Sequence, residues 1–241
     1  MTKSSALSAS KLRALFFELL AVFIGLLAAL QVDQWQDRRA FAKAEVRYLE
    51  RLDSELTEFL QTMNWMQGFV QRNLDGVTAV HEALAAGVLD PERAAAFEVG
   101  LLRVAHLPSI SVPRSTYDEM VASGSLARLK SEELKKGLSE FYTLDTMTKE
   151  NFNWWRTGAM QTARELSHHV SFHIVEKSED ENGRTRYKQG VNFDFDALQG
   201  NLVIRNGFFW AVDTHDDWKR FLTELVELAE ESRASIRAEL N

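Results

Sequence analysis

Apolar positions change their rhythm twice along this chain. Residues 14–32 read ALFFELLAVFIGLLAALQV, with Glu18 as their one formal charge. As a helix, this stretch reaches about 28 Å at about 1.5 Å per residue. That nearly matches the roughly 30 Å hydrocarbon core of a bilayer. Residues 1–13 then form a tail, 14–32 a transmembrane helix, and 33–86 a long membrane-proximal helix.

In the third of these, apolar residues recur at alternating steps of three and four: Leu49, Leu52, Leu56, Phe59, Met63, Met66, Val70, Val77, Val80 and Leu84. Asn73 fills the step between Val70 and Val77. No proline interrupts 33–86, and the spacing predicts one long helix with a single apolar seam. The seam suits an intermolecular coiled coil and an intramolecular bundle equally.

Residues 87–241 read as the remainder of a helical bundle. Gly87 stops the long helix, and Asp90 with Pro91 starts another that runs to about residue 106. A loop follows at 108–113. Ser115 with Asp118 has the spacing of a capping box, and Ser123-Gly124 ends that short helix. Ser131 caps a helix expected over 132–176. Residues 177–190 read as a loop or loose hairpin and 191–195 as a short strand. The last helix is expected over 202–240, with the stripe Phe209, Val212, Phe221, Leu225, Leu228, Ile236 and Leu240. The fold class is therefore all-α.

A helical projection of the anchor at about 100° per residue puts Glu18, Ala21, Gly25, Ala29 and Val32 on one narrow side. Small residues at this spacing let two membrane helices approach closely. This side is the predicted association face, with Glu18 turned inward. The alternative is Glu18 snorkelling to headgroups. A cleaved signal peptide fits less well, because the apolar run is long, carries a glutamate, and would place Leu27 at a small-residue cleavage position. Cations flank both sides: Lys3, Lys11 and Arg13 before the span, and Arg38, Arg39, Lys43, Arg47 and Arg51 after it. The count alone favours a cytoplasmic C-terminal side.

Composition narrows the function classes. Apolar residues make up 45% and charged residues 26%, which is globular. Three prolines and twelve glycines are few, which agrees with long helices. A net charge of −7 offers no attraction to nucleic acid. The absence of cysteine excludes disulfides, thiol catalysis and zinc-thiolate sites.

Two stretches together resemble a family of uncharacterised bacterial single-pass membrane proteins, known as a domain of unknown function. One is Glu18-Leu19-Leu20, Val22, Ile24-Gly25, Ala29-Leu30-Gln31 and Trp35. It is similar to that family's glutamate-led membrane helix ending in Ala-Leu-Gln and Asn-Asn-Trp. Phe17 stands where a glycine is usual, and Asp33-Gln34 replaces the asparagines. The other is Tyr117-Asp118-Glu119, Ser123-Gly124, Leu126, Leu129, Leu134, Leu138 and Phe141-Tyr142. It is similar to the family's tyrosine, Ser-Gly-x-Leu and Tyr-Tyr pattern. The resemblance implies a helical domain on the outer face of the bacterial inner membrane, hence periplasmic. It brings no reaction, cofactor or catalytic residue.

Candidate chemistry is sparse. On a helix over 132–176, Glu165, His169, His173 and Glu176 share a face, with His168 beside them. Imidazole and carboxylate at this spacing supply half of a zinc or iron site. No facing His/Glu motif is evident, so an exposed polar face is the plainer reading and no metal or other cofactor is expected. No glycine-rich phosphate loop or exposed-serine elbow is present. Asp216-Asp217 and Glu132-Glu133 fit helix starts or solvated faces. Trp154-Trp155, with Phe152 and Arg156, reads either as core or as a ligand or partner surface. The expected function is a membrane-anchored assembly, scaffold or accessory subunit, self-associating or bound to another membrane protein through the small-residue face. Its expected partners are the lipid bilayer and a second copy or another membrane protein. An extracytoplasmic sensory or ligand-binding module is the alternative, and a metal-dependent enzyme comes last.

Overall fold

The computed structural model describes residues 9–181 and 183–240, with side chains from residue 16 onward except that of residue 17. Lys3 therefore lies outside the described residues, as do the side chains of Lys11 and Arg13. The chain is 78% helical and 9% strand, an all-α class. It divides into two compact units, 1–50 and 51–241, and the division falls inside the first helix.

That helix, α1, is Ala9–Ala86. It ends where Gly87 turns left-handed at φ 72° and its N–H donates to the Ala83 carbonyl at 2.9 Å. In the first unit, the stretch from Glu18 onward contains a window apolar enough to cross a membrane, and none of that window is buried inside the protein. A soluble core helix would be covered.

The second unit is built from α1 beyond Glu50, α2 (Ala94–Arg103), α3 (Ser115–Ala122), α4 (Ser125–Arg128), α5 (Glu132–Leu166), β1 (Val170–Glu179), β2 (Thr185–Phe193), α6 (Phe195–Gly200) and α7 (Leu202–Leu240). A 3-10 turn at Pro91–Arg93 leads into α2, capped by the Asp90 carboxylate on Glu92 N–H at 2.9 Å. Ser131 Oγ caps α5 by accepting from Leu134 N–H at 3.1 Å. Both caps fall where the sequence places them.

Here α1, α5 and α7 form a three-helix bundle. The α1 seam from Leu52 to Leu84 is buried, Asn73 included. It is filled by the chain's own helices: Phe59 meets Phe141 of α5 edge-on at 5.4 Å, and Asp53 takes Arg233 and Arg237 of α7 at 3.1 and 3.0 Å. Within this unit the intramolecular alternative holds for the seam.

The buried line of α7 differs from the expected stripe. It runs through Ile204, Phe208, Ala211, His215, Trp218, Leu222, Leu225, Ala229, Ser232 and Ile236. This is a regular three-four spacing that uses small and polar residues. Phe209 lies off that line and is exposed, Val212, Phe221 and Leu228 are half-buried, and Leu240 is exposed. Leu225 and Ile236 alone keep their expected places.

A second correction concerns 167–193. The helix stops at Leu166, and residues 170–179 pair antiparallel with 185–193. Val170, Phe172, Ile174 and Val175 favour extended chain, and a matching strand is present to pair with them. Of the loop or loose hairpin expected at 177–190, the hairpin is what forms, and it starts earlier, at Val170. Gly183 makes its turn at φ 72°, and Gly190 faces His173 so closely that a Cβ there would lie 2.7 Å from Nε2. The ladder shifts register between Ile174 and Glu176, a bulge at Val175.

Candidate functional site

Residues that resemble the family pattern gather where α3 docks. Tyr117 stacks on Tyr142 with ring centroids 4.0 Å apart, and Tyr142 Oη donates to the Pro113 carbonyl at 3.1 Å. Asp145 occupies a seam position of α5 with only 2% of its side chain exposed. Arg114 reaches it at 2.9 Å and Lys149 at 2.7 Å, while Arg114 also lies over the Tyr142 ring. Burial, with Glu55 nearby, pushes the Tyr142 phenol well above its ordinary range. That tyrosine stays protonated as a hydrogen-bond donor.

Ser115 does not cap α3 as expected. Its hydroxyl donates to Glu55 Oε1 at 2.6 Å, and Thr116 adds its own hydroxyl at 2.7 Å and its N–H at 3.3 Å to the same oxygen. The first turn of α3 is therefore satisfied from α1. A carboxylate at a helix N-terminus is favoured by the exposed N–H groups. This cluster fastens α3 to α1 and α5, and Ser123-Gly124 terminates α3 with Gly124 at φ 71°.

The histidine set is split: Glu165 and His169 stay within 3.5 Å of each other, while His173 and Glu176 are carried away. Glu165 ends α5, His169 lies in the turn, and His173 and Glu176 sit on β1. Four extended residues span about 13 Å, against about 6 Å for one helical turn. His169 has a structural task. Asn201 Oδ1 accepts the N–H groups of Val203 and Ile204 at 2.9 and 3.1 Å, which caps α7. Its Nδ2 then donates to His169 Nε2 at 2.9 Å. That nitrogen is engaged. Glu176 faces Lys188 across the hairpin. Among the described residues no group of histidines and carboxylates is placed to hold a metal ion.

Two surfaces of the second unit bear on binding. The first is the hairpin. Strand alternation puts Val170, Phe172 and Ile174 on one face with Phe193, Val191 and Tyr187. The base of that face is packed: Val191 is buried, and Phe193 meets Phe97 of α2 at 5.1 Å. Farther out, the same face continues uncovered through Phe172, Ile174 (61% exposed) and Tyr187, with Gln189 opposite Ile174, Lys177 opposite Tyr187, and Val175 exposed at the bulge.

The second is a cleft of about 300 Å³ between α5 and α7. The helices meet tightly at Gly207, where a Cβ would lie 2.7 Å from Thr162. The cleft lies one turn on, over Gly158, Ala159 and Ala211. The expected aromatic pair splits here. Trp155 is a seam residue, packed edge-on to Trp218 at 5.8 Å. Trp154 is off the seam and 69% exposed, and Trp210 of α7 is 59% exposed. Together they wall the cleft. Trp210 has no distinguishing signal in the sequence, because small and polar residues hold several core positions of α7.

The predicted face of the anchor is open in the isolated chain. Glu18, Ala21, Gly25, Ala29 and Val32 are all exposed, and a Cβ on Gly25 would meet nothing within 4 Å. The chain matches no protein-family model, no curated protein and no solved structure.

Proposed function

We propose that this protein is a membrane-anchored assembly or accessory subunit. Its N-terminal helix holds it in a bacterial inner membrane, and its second unit docks a protein partner in the periplasm. The observation that carries the docking is the hairpin. A two-stranded hairpin is marginal alone in water, and soluble proteins rarely leave a contiguous apolar face uncovered. Phe172, Ile174 and Tyr187 extend such a face beyond its support on α2. The Ala21, Gly25 and Ala29 side of the anchor is a second association surface, of the kind that packs membrane helices.

A photo-crosslinking residue at Ile174 tests the docking in intact membranes. It yields a discrete cross-linked product, whereas the same group at exposed Asn153 of α5 does not. Equal, diffuse labelling from both positions would overturn the reading.

A ligand-binding role is the second reading, and a different observation favours it. The aromatic cleft between α5 and α7 has the size of a small-molecule site.

A further inference from the structure

The cleft between α5 and α7 has walls of tryptophan and no charged side chain in its lining. Trp154 and Trp210 hold their rings out from helix positions that the seam leaves free, and Trp155 closes the inner end. Indole faces carry negative potential and attract cations.

The surroundings add to that potential. Glu150 lies one turn before Trp154, and Asp213 lies nearly one turn after Trp210, so each shares a side of its helix with a cleft tryptophan. Neither carboxylate has an ion-pair partner among the described residues. The nearby Asp217 is taken by Arg220. An aromatic wall edged by unpaired carboxylates draws positive charge inward. Because nothing ionised lines the interior, the complementary cation is one that sheds water easily. Thr214 lines the cleft with its hydroxyl, and Thr157, whose hydroxyl donates to the Asn153 carbonyl at 2.7 Å, keeps an acceptor oxygen for a polar end group. The volume, about 300 Å³, suits a headgroup rather than a chain.

From this we infer that the α5–α7 cleft binds a small organic cation of the quaternary-ammonium class. This rests on the ligand-binding reading and is independent of docking at the hairpin.

The test uses the full chain in an uncharged maltoside detergent. Tryptophan fluorescence is titrated with choline and, separately, with its neutral isostere 3,3-dimethylbutan-1-ol. Choline gives a saturable change, and the isostere binds at least about tenfold more weakly. Gly158 has open space at its Cβ, so Gly158→Leu fills the cleft and abolishes the change while melting no lower than the parent. Trp210→Ala weakens choline by about tenfold and leaves the fold intact. Equal binding of both probes would overturn the cation assignment but keep a ligand site. No saturable change with either probe up to about 100 mM would overturn the cation and the ligand-binding reading together.

Discussion

The side-chain amide of Asn73 donates to the backbone carbonyl of His106 at 2.9 Å. This single bond accounts for the one polar residue in an otherwise apolar seam, because it satisfies the chain as it leaves α2. Replacing Asn73 with leucine would stabilise a simple coiled coil. Here it destabilises by about 1–2 kcal/mol, since the carbonyl loses its donor at a part-buried site. Urea unfolding of the detergent-solubilised chain, followed by tryptophan fluorescence, measures this. A gain in stability would contradict the assignment.

Asp145 differs in its dependence on its two cations. Arg114 is 30% exposed and Lys149 is 47% exposed. Breaking a buried pair is expensive, whereas an exposed partner contributes little. Arg114→Ala therefore costs about 2–3 kcal/mol and Lys149→Ala less than about 1 kcal/mol. Equal losses in urea unfolding would show that Arg114 has no special part in docking α3.

Acid weakens the second unit. Burial lowers the imidazole pKa of His215, which donates from Nδ1 to the Ala211 carbonyl at 2.8 Å. Burial and then the Arg103 charge lower that of His106. Below the ordinary histidine value of about 6.5, the unfolded chain binds more protons than the folded one. Stability is thus level above that pH and declines as pH falls through it. Melting temperature drops between pH 7.5 and 5.5, and His215→Gln makes the drop shallower. An unchanged slope in the variant would contradict this.

Gly76 and Gly100 let α1 and α2 touch backbone to backbone, since a Cβ on Gly100 would fall 2.2 Å from the Gly76 carbonyl oxygen. Gly100→Ala pushes the helices apart and costs about 1–3 kcal/mol or more. Gly158→Ala, with open space around it, stabilises by about 0.5–1 kcal/mol through helix propensity. Thermal melts of the two variants move in opposite directions.

Much of the fold was legible because strong local signals agreed with it. The α1 seam, the Asp90 and Ser131 caps, Gly87 and Gly124, and the bounds of α7 were all readable. The phase of α7 was not. Its core positions Ala211, His215, Ala229 and Ser232 are small or polar, whereas Phe209 and Trp210 beside them are large and apolar. Hydrophobicity alone therefore pointed to the wrong side, and to the wrong side of the cleft. The end of α5 was missed for another reason. Nothing within 165–176 breaks a helix, and the strand there exists because 185–193 pairs with it. Pairing with a distant segment has no local signature, so the histidine face was an artefact of continuing the helix.

The account turns on a tethered chain that does not work alone. Native mass measurement of particles extracted in mild detergent tests this most directly. The account predicts a particle larger than one chain, with mass lost on Ile174→Lys in the hairpin. A particle of strictly one chain, unchanged by that substitution, would contradict it.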